Sequence, residues 1–359
     1  MKLETESSKL SKKPRFLLKH VGNMGDFVFF VPPVLETLKK KYPDCHITLV
    51  TTWGWKDKNK GWGLRNQSGF CISLAMTNPH IDELVHWHDS KLALDGSICI
   101  EEGRHFPTWN ARYYQQQKAS GDYDGAFELD VGIKPTDNPL QRMYDIIGLP
   151  DESYSDYKIY LTDDDRAVAQ EVMADVLRPR IVLLEAMNGR TTREWNMTAV
   201  PQLLERLTAQ YGVPPIWFGG RHVPEREGTP LTLRQNIATL ELCDVAIGPP
   251  SGPLHFAAAV GLPTLTLYCD HQYNRAAPAY FLNQHIDNPE KNHRTLWGPN
   301  PSALQQMKTS AAPAELTPSE RAHQGWQNWQ LPGHQSTKSC LGAITPDEIM
   351  TALSDMLPS

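Results

Sequence analysis

The feature that most restricts this 359-residue chain is a strand, turn, helix, strand rhythm that occurs in both halves. In the first half, residues 16–21 (Phe-Leu-Leu-Lys-His-Val) read as a strand, 22–26 as a turn, and 46–50 as a second strand. Between them, 27–41 form a helix with Val34, Leu35 and Leu38 on one face and Pro32-Pro33 in or near its first turns. The second half repeats the pattern: a strand at 180–185, a polar loop to Trp195, a helix at 199–211, and a strand at 215–218 ending in Gly219-Gly220. A helix at 231–242 follows, then the stretch 246–268. Strands separated by helices need crossover connections, so each half is expected to be an α/β unit with a parallel, doubly wound sheet. The polar, acidic segment 151–165 is the expected boundary.

The stretch 246–268 is the most informative. It reads as a strand end, a tight turn at Pro249-Pro250-Ser251-Gly252, a helix at 253–260 with Pro253 at its first position, a stop at Gly261 and Pro263, and a further strand. In an open α/β sheet, backbone donors at a helix N-terminus and the positive end of the helix dipole meet at the carboxyl ends of the strands, where an anion is held. An ordinary crossover helix is the alternative reading. Asp26 stands at the corresponding strand end in the first half, either facing a cleft or simply capping the next helix. The glycines there are spaced G-x-x-G-D, which is not the dinucleotide fingerprint.

Composition removes several classes. A net charge of −6 gives no general basic footprint, so no nucleic-acid partner is expected. Six scattered cysteines without a Cys-x-x-Cys argue against a zinc site and a disulfide scaffold, and suit a reducing cytoplasm. Residues 1–15 form a polar tail and no apolar run approaches the ~20 residues of a spanning helix, so membrane contact is expected to be at most peripheral. Residues 270–338 are poor in aliphatic runs and read as a long loop region, before a last helix with Thr345 as N-cap and Pro346 at its first position.

Taken together, several segments resemble the bacterial heptosyltransferases of glycosyltransferase family 9, which have the GT-B architecture. They are Gly25-Asp26 with Pro32 or Pro33 and Tyr42-Pro43, then Asn78-Pro79-x-Ile81-Asp82-Glu83, Arg193-x-Trp195, Gly219-Gly220, Ser251-Gly252-Pro253-Leu254-His255 with Gly261-x-Pro263, and finally the run from Cys340 to Glu348. The resemblance implies two Rossmann-like domains facing a cleft, with the acceptor side at 16–160 and the nucleotide-sugar side at 161–344. A last helix at 345–359 would cross back to the first domain. It also implies an inverting glycosyltransferase that uses a nucleotide-diphosphate sugar, such as ADP-heptose, without a metal or cofactor. The acceptor would be a glycan of the lipopolysaccharide-core kind.

By the same resemblance Asp26 is the general base and Asn23 and Met24 lie on the acceptor side. Asn188, Gly189, Arg193, Gly219, Glu225, Ser251, Gly252, Pro253 and His255 lie around the donor. The family usually has an acidic residue directly before Ser/Thr-Gly, whereas Pro249-Pro250 stand here. That departure favours another reading, a degenerate GT-B protein kept for binding or assembly, and a nucleotide-sugar epimerase on the same architecture is a further alternative.

Overall fold

The computed structural model describes residues 13–22, 24–52, 71–87, 97–101, 104–129, 139–152, 158–184, 199–218, 225–226, 229–249, 251–268, 293–297 and 344–357. The first sheet is built from β1 (Arg15–His20), β2 (His46–Thr52), β3 (Glu83–Trp87), β4 (Ser97–Glu101), β5 (Arg104–Trp109) and β6 (Gly125–Glu128), in the order β4-β5-β3-β2-β1-β6. All neighbours are parallel except the antiparallel pair β4 and β5. On one face lie α1 (Met24–Lys41), α2 (Cys71–Ala75) and α4 (Pro139–Ile146), and on the other α3 (Ala111–Ala119). The order reverses between β1 and β6, so the crevice at their carboxyl ends is the expected ligand position of this sheet.

The second sheet contains β7 (Ile181–Leu184), β8 (Ile216–Phe218), β11 (Val245–Gly248), β12 (Thr264–Tyr268) and β13 (His293–Trp297), all parallel, in the order β13-β12-β11-β7-β8. Between β8 and β11 come the short antiparallel pair β9 (Glu225–Arg226) and β10 (Thr229–Pro230) and the helix α7 (Leu233–Leu240). Here the reversal falls between β7 and β11. The remaining helices are α5 (Asp163–Val172), α6 (Val200–Tyr211), α8 (Gly252–Ala259) and α9 (Pro346–Ser354). Two doubly wound α/β units are what the repeated rhythm requires.

Local sequence explains the helix ends. Thr162 with Asp165, Thr232 with Gln235 and Thr345 with Glu348 each close a capping box. Gly212 ends α6 in the left-handed region at φ 73°, where a side chain is strained. Helix α1 begins at Met24, three residues earlier than its apolar pattern suggests, so Pro32 and Pro33 lie in its interior. Each lacks an N–H for the helix ladder. Both are buried, and the helix continues because the apolar residues around them, from Phe27 to Leu38, pack into the core.

That core joins the two units. One buried cluster takes in Phe16 and Leu18 of β1, Phe27 to Leu38 of α1, Ile72 and Leu74 of α2, Leu184 of β7, Ile237 and Leu240 of α7, and Leu254 and Ala257 of α8. The units meet helix on helix, α1 against α8 and α2 against α7. A separate cluster on the far face of the second sheet unites α6, Ile344, Ile349, Met350, Leu353 and Leu357. Among the described residues the last helix therefore packs on its own domain, in place of the crossing back to the first domain that the family resemblance implied. Its apolar stripe is occupied by α6 and β13, and Arg206 and Arg294 pair with its Asp347 and Asp355.

Candidate functional site

Strand β11 is buried throughout and ends in Gly248, where a Cβ would come within 2.6 Å of the Leu184 Cβ. The chain then passes buried Pro249 to Ser251, which is extended (φ −151°, ψ 172°) and opens α8. The Ser251 carbonyl accepts from the N–H groups of Leu254 (3.1 Å) and His255 (3.3 Å). Its hydroxyl makes no cap hydrogen bond and, at 5 % residue exposure, has no partner among the described residues. A buried hydroxyl normally finds a partner, because leaving it unpaired costs about 1–3 kcal/mol. Prolines at 249, 250 and 253 carry no N–H, so the turn from 249 to 253 has donors only at Ser251 and Gly252. Two adjacent N–H groups, one hydroxyl and the positive end of a helix are the groups from which an anion cradle is built.

Helix α1 brings its own N-terminus to the same place. A Cβ on Gly25 would lie 3.1 Å from the Gly252 Cα and 3.3 Å from the His255 Cδ2. The two helix starts thus touch through glycines, and Asp26 and Ser251 are each one residue, about 3.8 Å along the chain, from that contact. Asp26 is exposed in the first turn of α1 and is not its N-cap. Its negative charge reaches His20, the last residue of β1, which is 1 % exposed with its ring edge-on to Phe27 at 5.7 Å. Burial holds His20 far below the usual histidine range, at about 4, although Asp26 pulls the other way. His20 is therefore neutral near pH 7.

The sequence-derived site residues divide into three groups. Asp26, Ser251, Gly252, Pro253 and His255 come together at the junction of the two domains. His255 is buried and tilted against Phe29 of α1 at 5.7 Å, so its ring belongs to the domain contact. Met24 needs correction: at 1 % exposure it is part of the shared core and presents no surface to an acceptor, because the helix begins at Met24 and turns that side chain inward. Asn23, Asn188, Gly189, Arg193, Gly219 and Pro250 lie outside the described residues, as does the Glu225 side chain, whose backbone pairs with Pro230 in the β9-β10 ladder.

Two polar residues at this end of β1 escaped the sequence reading. His20 sits behind Asp26. On the other face of the sheet, the Lys19 ammonium lies 4.6 Å from the Trp87 ring, 5.5 Å from Tyr114 and 3.9 Å from Glu128. The signal was present, since Lys-His interrupts an apolar strand at its carboxyl end. Among the described residues no group of three His, Cys, Asp or Glu side chains is placed to hold a metal, and no helix is long and apolar enough to cross a membrane.

Comparison with known proteins follows the same line. Residues 229–298, which contain the Ser251 turn, match the family model "Glycosyltransferase family 9 (heptosyltransferase)". The whole architecture is similar to a glycosyltransferase family 9 protein from Veillonella parvula DSM 2008 (TM-score 0.57, 16 % identity, 96 % of this chain and 97 % of that one). The chain has the fold of glycosyltransferase family 9. The same GT-B fold is found in Escherichia coli ADP-heptose lipopolysaccharide heptosyltransferase II (TM-score 0.51, 11 % identity, 95 % of this chain and 98 % of that one). It recurs in the dodecameric iron-containing heptosyltransferase TibC of enterotoxigenic E. coli, solved in complex with ADP-D-beta-D-heptose (TM-score 0.51, 11 % identity, 97 % and 77 %). No curated protein matches this chain by sequence.

Proposed function

We propose that this chain is an inverting glycosyltransferase that takes a sugar from a nucleotide-diphosphate donor and passes it to a hydroxyl acceptor. The convergence of two helix N-termini carries this reading: α8 offers an anion cradle at Ser251 and Gly252, and α1 holds an exposed carboxylate, Asp26, beside it. The donor diphosphate lies against the Ser251 and Gly252 N–H groups, with the Ser251 hydroxyl as a third donor. Asp26 accepts the proton of the acceptor hydroxyl as its oxygen attacks the anomeric carbon. The bond from that carbon to the diphosphate breaks on the opposite face, and the nucleoside diphosphate leaves with the electron pair. Fixed N–H groups stabilise the developing negative charge, so the reaction needs no metal or cofactor. Heptosyltransferase II and TibC point to ADP-heptose as the first donor to test, with a glycan as acceptor.

Asp26→Asn keeps the shape of the side chain and removes its basicity. It should lower turnover by about 100-fold or more and leave the ADP dissociation constant and melting temperature nearly unchanged, with full native activity in excess EDTA. Retained turnover in Asp26→Asn would reduce the carboxylate to a helix-end charge. Donor binding without transfer to any glycan would favour the degenerate reading that Pro249-Pro250 suggest.

A further inference from the structure

Outside the site, one buried charge among the described residues is Arg234, in the first turn of α7. It is 5 % exposed. A guanidinium in the first turn of a helix opposes the helix dipole, so its position needs a strong counterweight. The bonds to described residues supply it. Nε donates to Asp165 Oδ2 of α5 at 3.0 Å, and Nη1 donates to the Ser73 carbonyl of α2 at 2.9 Å and to the Ser73 hydroxyl at 3.3 Å. Asp165 also accepts from the Thr162 N–H (2.9 Å) and hydroxyl (2.7 Å), which fixes the start of α5.

These partners belong to different parts of the molecule. Ser73 is in the first domain, Arg234 in the second, and Asp165 at the start of the helix that follows the connecting strap. The strap is itself fastened to the first domain: Thr77 Oγ1 donates to the Tyr160 carbonyl at 2.5 Å, the Tyr160 hydroxyl donates to Glu36 at 2.8 Å, and Lys158 pairs with Glu36 at 3.1 Å. One planar side chain thus ties both domains and the joint between them, in a geometry that a lysine cannot reproduce. A buried ion pair need not add net stability over well-packed apolar groups, and here its partners span both domains and their joint.

We propose that Arg234 is a positioning residue that sets the approach of the two domains, and with it the separation of Asp26 on α1 from the Ser251 turn on α8. The glycine contact between α1 and α8 leaves little room for rotation, so a loosened joint moves the carboxylate relative to the cradle. The kinetic consequence rests on the transferase reading above, and the conformational one does not.

The test uses the full chain with Arg234→Lys, and with the double substitution Arg234→Gln and Asp165→Asn, which leaves no unpaired buried charge. Small-angle scattering should show a larger radius of gyration than native, and hydrogen exchange should be at least tenfold faster at 71–75 and 24–28. ADP affinity should stay within threefold, while kcat falls tenfold or more with little change in donor KM. Native scattering and exchange in both variants would overturn the assignment, even if the protein proves to transfer no sugar. A kcat loss that only follows a loss of ADP affinity would also overturn it.

Discussion

Gly25 and Gly252 face each other where the domains meet, and their neighbours differ enough to separate two effects. A methyl group on Gly25 meets the Gly252 Cα at 3.1 Å and His255 at 3.3 Å, whereas on Gly252 the nearest atom is the Gly25 nitrogen at 3.7 Å. Gly25→Ala should therefore cost about 1–3 kcal/mol, the usual scale of overpacking, and Gly252→Ala markedly less, both measured by urea unfolding. Equal effects would mean that the helix starts are not in contact. At this scale the sequence was informative where chemistry depends on residue type: Asp26, Ser251 and the prolines around it were legible as strand-end residues. It misled at Met24, because one residue's direction depends on where a helix begins, and the apolar pattern marked that point three residues late. It was silent on His20, whose burial comes from α1 packing over the strand end.

Among the elements, the helices with capping boxes and the apolar parallel strands were readable, because local preference and tertiary packing agree there. Strand β5 was not: Arg-His-Phe-Pro-Thr-Trp alternates poorly, carries Pro107 and takes its pairing from β4 and β3. β13 was lost inside a polar stretch for a related reason, since its order comes from β12 alongside and α9 above. The sequence marks helix α9, but its destination rests on the resemblance alone, because sequence cannot say which apolar surface an apolar stripe covers. Leu353 is fully buried in the second-domain cluster. Leu353→Ala should destabilise by about 2–5 kcal/mol and speed hydrogen exchange in 200–211 of α6, with little change in 24–41 of α1. The opposite pattern would return α9 to the first domain.

Two buried histidines connect the whole molecule to pH. His20 and His293 are both held at about 4 against an ordinary 6.5, chiefly by burial. His293 also shares a 2.8 Å hydrogen bond with the Thr264 hydroxyl. Between pH 6.5 and 4 the unfolded chain binds protons at these sites that the native protein does not. Stability therefore rises with pH across that window and is flat above it as far as these groups are concerned. By pH 5 each should have removed about 2 kcal/mol, read from urea unfolding at pH 7.5 and 5. Replacing His293 with Gln should flatten the slope, and an unchanged slope would mean that His293 is not the proton-linked group.

The most direct measurement of the central claim is a calorimetric titration of native protein and Ser251→Asp with ADP, GDP and UDP. Ser251→Asp places a negative charge where the diphosphate would sit, and its melting temperature is read alongside, because residue 251 is buried and its hydroxyl makes no cap hydrogen bond. The account predicts that the native protein binds at least one of these nucleotides, ADP first, and that Ser251→Asp binds it at least 100-fold more weakly. Failure of the native protein to bind any of them, or equal binding by the variant, would contradict it.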